Sequence, residues 1–209
     1  MPTHQTTGEQ PTETPARLRP IALEGKHVRL EPVRPEHHDG LCAAFSDGNL
    51  WELAVTFVPH PDDVGAFIED SMEAAEAGTQ LVYATIDIAS GRIAGTTRFL
   101  QVNLPHKRTE IGGTFLGKSW QRTPVNTEAK LLMLTYAFED NALNRVEFLT
   151  DVRNTTSRAA IARLGATHEG ILRSHMVMRD GHIRDSILFS ITAAEWPGLK
   201  TRLTDRLAQ

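Results

Sequence analysis

A chain of 209 residues with 40% hydrophobic and 23% charged residues has the composition of an ordinary globular domain, and its length does not demand a second one. The formal net charge of −4 argues against a nucleic-acid binder built on broad phosphate contacts, so no nucleic-acid partner is expected. Cys42 is the only cysteine, which excludes an intrachain disulfide and a cysteine zinc cluster. No apolar run opens the chain, and no stretch approaches the roughly 20 apolar residues of a membrane helix. The expectation is a soluble, cytoplasmic protein with no membrane partner.

Residues 1–20 are rich in Thr, Pro, Gln and Glu and have little to bury, the composition of a disordered tail. The domain is expected over 21–209. His27-Val28-Arg29-Leu30-Glu31 alternates polar and apolar, as a half-buried strand does. Pro35 and Glu36 open a helix with Leu41, Ala44 and Phe45 on one face. Pro61-Asp62-Asp63 opens a second, whose apolar face is Val64, Phe67, Ile68, Met72 and Ala75, and Gly78 ends it. Strands follow over 81–88, 92–100 and 108–116, the first two joined by the turn Ala89-Ser90-Gly91. Gly112 and Gly113 are poor strand material; they suit a bulge or a close approach by a ligand or another backbone.

The polar loop 117–123 leads into a helix over about 124–140 that is apolar around much of its girth, and therefore buried. A strand over 145–150 comes next, then a helix opened by Asn154-Thr155-Thr156-Ser157 and ended by Leu164-Gly165. Strands over 171–178 and 183–191 meet across the hairpin dipeptide Asp180-Gly181. A last helix from Glu195 carries Leu199, Leu203 and Leu207 on one stripe. Antiparallel strands around one strand–helix–strand crossover give an α/β (α+β) fold, a single-domain, mixed, mostly antiparallel sheet with helices on both faces.

Within that order, 110–165 reads as strand, loop, helix, strand, helix. The unpaired N–H groups and positive end of a helix opening after such a loop suit a phosphate. Asn154 and Ser157 look like an N-cap with its N3 partner, but Ser157 shares a stripe with Ile161 and Leu164, so its hydroxyl is expected to face the sheet. Glu110 lies beside the expected bulge; as a general base it would need a raised pKa and a path to an amine. Glu128 suits the helix N-terminus electrostatically. The histidines show no metal spacing, so no metal is expected.

Glu110-Ile111-Gly112, Thr127-Glu128-Ala129, Asn154-Thr155-Thr156-Ser157, Leu164-Gly165 and Glu169-Gly170-Ile171-Leu172-Arg173 come in the order of a known set. With Asp180-Gly181 and Asp185 they resemble the GNAT N-acetyltransferase superfamily, in its ribosomal-protein-alanine N-acetyltransferase-like branch. The resemblance covers the chain from about residue 24. It implies acetyl-CoA as cosubstrate, with its pyrophosphate over Gln121, Arg122, Thr123, Val125, Asn126 and Thr127. It implies the pantetheine arm along Thr114, Phe115 and Leu116, near Asn154. One departure is Pro124, which stands where the family's loop has glycine and removes one N–H donor. Many members have a tyrosine acid on the helix after the phosphate-side strand; this helix has none, which leaves Ser157 or water to protonate the leaving thiolate, with Glu110 the candidate base. The acceptor implied is a primary amine of a small molecule or a protein N-terminus, and a homodimer is compatible with the resemblance. A non-catalytic acyl-CoA-binding or protein-interaction module of the same fold is the alternative.

Overall fold

The computed structural model describes residues 17–208. Most of the tail read at 1–20 therefore lies outside the described residues. Its upper boundary falls too late, however: Leu18 is buried in the core and the Tyr136 hydroxyl donates to the Arg19 carbonyl at 2.8 Å. One leucine in a polar stretch carries no periodicity, so the sequence pattern misses it.

Eight strands form one sheet. They are β1 (Leu23–Glu24), β2 (Val28–Pro32), β3 (Leu81–Asp87), β4 (Arg92–Asn103), β5 (Arg108–Leu116), β6 (Arg145–Asp151), β7 (Thr167–Val177) and β8 (Ile183–Thr192). Their spatial order is β1-β2-β3-β4-β5-β6-β8-β7. Among the described residues only β5 and β6 pair in parallel, as expected of two strands joined by a long crossover. β1 is too short for a periodic signal and was not expected. β7 begins at Thr167, four residues before the expected start at Ile171, because the segment is polar and pairs through its backbone with β8.

The helices are α1 (His38–Ser46), α2 (Val64–Glu76), α3 (Pro124–Thr135), α4 (Thr155–Leu164) and α5 (Trp196–Leu207). α1 and α2 cover one face through Leu41, Ala44, Phe45, Val64 and Ile68 against Val82, Ala84 and Phe115. α3 and α5 cover the other, where Met133, Leu134, Leu199 and Leu203 pack on Tyr83, Phe99, Ile111, Val146 and Phe148. Strand alternation follows: in β6 Val146 and Phe148 are buried on the α3 side while Glu147 faces the opposite way. Met72, expected on the buried stripe of α2, is 38% exposed; Ser71 takes the inward place and donates to the Phe67 carbonyl.

The long helix expected to run to residue 140 is α-helical only to Thr135 and closes in a wide π turn, Tyr136–Asp140. The Asn141 backbone and side-chain amides both donate to the Tyr136 carbonyl, which completes the wider turn.

Candidate active site

β5 and β6 pair only through Arg108 with Arg145, Thr109 with Val146 and Glu110 with Glu147. Beyond Glu110 the two strands part, while β5 stays paired to β4 as far as Leu116. Residues 111–116 of β5 thus present a free backbone edge to a wedge. Gly117 N–H donates to the Ala94 carbonyl on the β4 side, so alternation turns the main chain of Leu116 toward the wedge and that of Phe115 toward β4. The Gln121 amide donates to the Leu116 carbonyl at 3.0 Å and ties the following loop to this edge.

The bulge expected at the paired glycines is present. Thr96 pairs with Phe115 and Arg98 with Gly112, so Gly113 and Thr114 together oppose Thr97. Gly113 has φ +51°, a conformation that favours glycine. Both glycines also vacate space for charged side chains. A Cβ on Gly112 would lie 2.7 Å from Glu110 Oε1. A Cβ on Gly113 would collide with the Arg98 side chain. Glu110 and Arg98 therefore lie over a bare backbone floor, on the face covered by α1 and α2.

Burial raises the Glu110 carboxyl to about 7, with Glu147 adding to the shift and Arg184 and Arg98 opposing it. Glu147 is held by Arg145 at 2.8 Å and Arg108 at 3.5 Å. Arg184, buried on β8, donates to the Ser186 hydroxyl at 2.8 Å, and His175 Nδ1 lies 3.0 Å from the same hydroxyl. Above this floor, Arg179 of the β7–β8 turn stacks on Phe57 of the α1–α2 connection, 5.7 Å from the ring centroid. The groove of about 600 Å³ between α4 and the β7–β8 hairpin lies elsewhere, lined by Thr155, Ala159, His168, Ile171 and Phe189.

Two charged residues of α3 have roles that the sequence pattern did not disclose. Glu128 was expected to serve the helix N-terminus. Instead its buried carboxylate accepts from the N–H groups of Lys26, His27 and Val28 at 2.9, 2.6 and 2.7 Å, clamping the β1–β2 turn onto the helix. Lys130 is also buried, and its ammonium donates to Thr97 Oγ1 at 2.8 Å and Thr114 Oγ1 at 2.7 Å. It pins the bulge from the α3 side, and burial pulls it down to about 7. A lysine in an otherwise apolar helical run was the available signal.

The loop before α3 places Thr123 at the N-cap and Pro124 at N1. The Thr123 hydroxyl does not cap the helix; it donates to the Trp120 carbonyl at 2.7 Å. The N–H groups of Val125 and Asn126 are therefore left without a side-chain acceptor, and Asn126 Oδ1 is buried without a partner. Exposed Arg122 stands beside them with φ +65°. Among the described residues, unpaired N–H groups at a helix start and the uncommitted guanidinium of Arg122 fit a phosphate-bearing chain, and the free β5 edge fits an extended amide arm. Val125 offers only its backbone to the loop, since its side chain is core. In α4, Asn154 Oδ1 accepts from Ser157 N–H at 3.0 Å, the expected cap. Ser157 is half-buried, on the stripe of Ile161 and Leu164.

A mixed sheet parted between two parallel strands, with an uncapped helix start at one side and a half-buried carboxyl at the apex, frames the candidate site. The acetyltransferase (GNAT) domain family matches residues 27–167, and the chain belongs to that family, whose class is N-acetyltransferase. It is 31% identical over 110 residues, 53% of its length, to the Bacillus subtilis protein named "Putative ribosomal N-acetyltransferase YdaF", and spans 59% of that relative. It is 24% identical to the ribosomal protein uS5-alanine N-acetyltransferase of Escherichia coli over 87% of this chain and 84% of that one. Among solved structures, a GCN5-related N-acetyltransferase from Brucella melitensis superposes with a TM-score of 0.81 at 32% identity, over 90% of this chain and 86% of that one.

Proposed function

We propose that the chain moves an acetyl group from acetyl-CoA to a primary amine by direct attack, with Glu110 as general base. The observation that carries this is Glu110 itself: it is the last residue of β5 paired with β6, and its carboxyl is held at about 7. A base poised near neutral pH can take a proton from an alkylammonium group as the amine enters the wedge. The Leu116 N–H, turned toward the wedge, donates to the oxygen on which charge develops. Val125, Asn126 and Arg122 hold the pyrophosphate, with Thr123, Thr127 and Gln121 shaping the loop around it. Acetyl-CoA supplies an acyl group already activated as a thioester, so no covalent enzyme intermediate is needed. Ser157, or a water held beside it and Asn154, returns a proton to the departing sulfur. The acceptor is a small-molecule amine or a protein N-terminus; the uS5-alanine enzyme among the relatives motivates the second.

Thiol release from acetyl-CoA with a panel of amines tests this. Glu110→Gln is expected to lower kcat by about 10²–10⁴-fold, the range of general acid–base catalysis. Parent kcat/KM is expected to rise with pH through about 7 as the carboxylate forms, and the variant is expected to lack that rise. Unchanged turnover in the variant would remove Glu110 from the chemistry.

A further inference from the structure

We propose that the acceptor carries a carboxylate near its amine, and that the Arg98 guanidinium binds it while Glu110 takes the amine's proton. This rests on the acetyl-transfer function proposed above and names the chemical class of its acceptor.

Arg98 lies on β4 facing α2, next to the bulge. Its guanidinium lies over two aromatic rings, 5.2 Å from the Phe67 centroid and 5.9 Å from that of Phe115. Among the described residues it makes no ion pair and no hydrogen bond, and Nε is buried without a partner. Gly113 makes the room it occupies. Burial lowers the group only to about 10, so it is charged at neutral pH. No carboxylate among the described residues lies within ion-pair distance of it: Glu110 favours its charge only from further off, and Glu147 is committed to Arg145 and Arg108.

A half-buried cation with no partner is costly, and the surroundings offset part of the cost: two aromatic rings support the charge and a glycine clears its path. Such an arrangement is complete when a ligand brings the counter-charge. A guanidinium is a planar fork that matches a carboxylate, with two parallel N–H donors. Glu110 and Arg98 both cover the Gly112-Gly113 floor, so an amine and a carboxylate a few bonds apart can reach both. A free amino acid holds its α-carboxylate two bonds from its α-amine, and an N-terminal aspartate of a peptide holds its side-chain carboxylate one bond further away.

The test measures kcat and KM by thiol release for glycine, leucine and aspartate, for their carboxamides, and for otherwise identical peptides beginning with Asp or Asn. Parent protein is compared with Arg98→Met, which keeps the apolar stem against the rings, and Arg98→Lys, which keeps a charge without the fork. Melting temperature checks that both fold. The parent is expected to favour each carboxylate over its amide by about 10²-fold or more in kcat/KM, since a site built for a polar group rejects its analogue. Arg98→Met is expected to erase that preference through KM, and Arg98→Lys to restore part of it. A preference among free amino acids identifies them as the source; one confined to Asp over Asn peptides identifies an acidic N-terminus. Acids and amides used within threefold of each other by the parent, or an undiminished preference in folded Arg98→Met, would overturn the inference and leave acetyl transfer standing. If no amine of either kind releases thiol, acetyl transfer falls and the inference with it.

Discussion

At the scale of single residues, charge is placed where the backbone has been stripped of side chains. Gly112 and Gly113 are small so that Glu110 and Arg98 can lie down on them. This makes Glu110 a destabilised residue as well as a useful one. Its carboxyl stands at about 4.5 when free and about 7 in the fold, so the native state holds the proton more tightly. Stability is therefore lost as pH rises from about 4.5 to about 7, and the whole loss is in place above 7. Glu110→Gln cannot ionise and escapes that slope. Thermal denaturation at pH 5 and pH 8 is expected to show a smaller loss of melting temperature for the variant than for the parent. A parallel pair of pH profiles would mean that Glu110 titrates as it does in the unfolded chain.

At the scale of elements, two helix starts flank the wedge and differ in how they are finished. α4 is capped by its own Asn154, whereas α3 leaves its N–H groups without a side-chain acceptor because Thr123 turns back to Trp120. Capping stabilises; an uncapped start is free to take a phosphate. Arg122 sits at the uncapped end in a left-handed conformation that suits glycine better. Arg122→Ala and Arg122→Gly are both expected to weaken acetyl-CoA binding, more at low salt than at high, since such pairing is screened. The glycine variant is expected to melt at or above the parent, because it relieves the strained φ. Equal acetyl-CoA affinity in all three proteins at low salt would show that Arg122 points away from the phosphates. On α4, Asn154→Ala is expected to cost about 0.5–2 kcal/mol of stability, the value of a lost cap. Ser157→Ala leaves that cap acceptor in place, so its effect is expected in turnover and not in acetyl-CoA affinity. Normal turnover in a folded Ser157→Ala protein would assign protonation of the sulfur to solvent.

At the scale of the whole molecule, the β5–β6 opening splits the sheet, and a ligand filling it is expected to join the two halves. Acetyl-CoA at about 100 times its dissociation constant adds about 2.7 kcal/mol to any fold that binds it. A clear rise in melting temperature is expected with acetyl-CoA and little with NAD or ATP: the chain has no G-x-G-x-x-G, and its match to G-x-x-x-x-G-K-S at Gly112–Ser119 lies in strand β5 and the short turn after it, not in a loop that opens a helix. Deletion of residues 1–16 is expected to leave this behaviour intact. Deletion of 1–20 removes buried Leu18 and the Arg19 carbonyl that anchors Tyr136, and is expected to cost about 2–5 kcal/mol, the range of losing a core leucine. Identical urea midpoints for the two truncations would show that Leu18 contributes nothing to the core.

Local pattern alone determined a great deal. The order of strands and helices, the limits of β5 at Arg108 and Leu116, the Thr123–Pro124 helix start, the Asn154 cap and the bulge at the glycines all follow from period, caps and turn chemistry. These signals lie within a few residues of the structure they specify. What the tertiary structure decided is where charges from distant segments meet. Glu128 reaches back about a hundred residues to the N–H groups of the β1–β2 turn. Lys130 is buried under a bulge formed by two other strands, and Arg98 is left unpaired over rings from α2 and β5. Burial and partner set the energy of a charged group, and neither is a local property of the chain. A glutamate in a strand and a lysine in a helix read the same whether they are solvated or enclosed, and only the packed sheet separates the two cases.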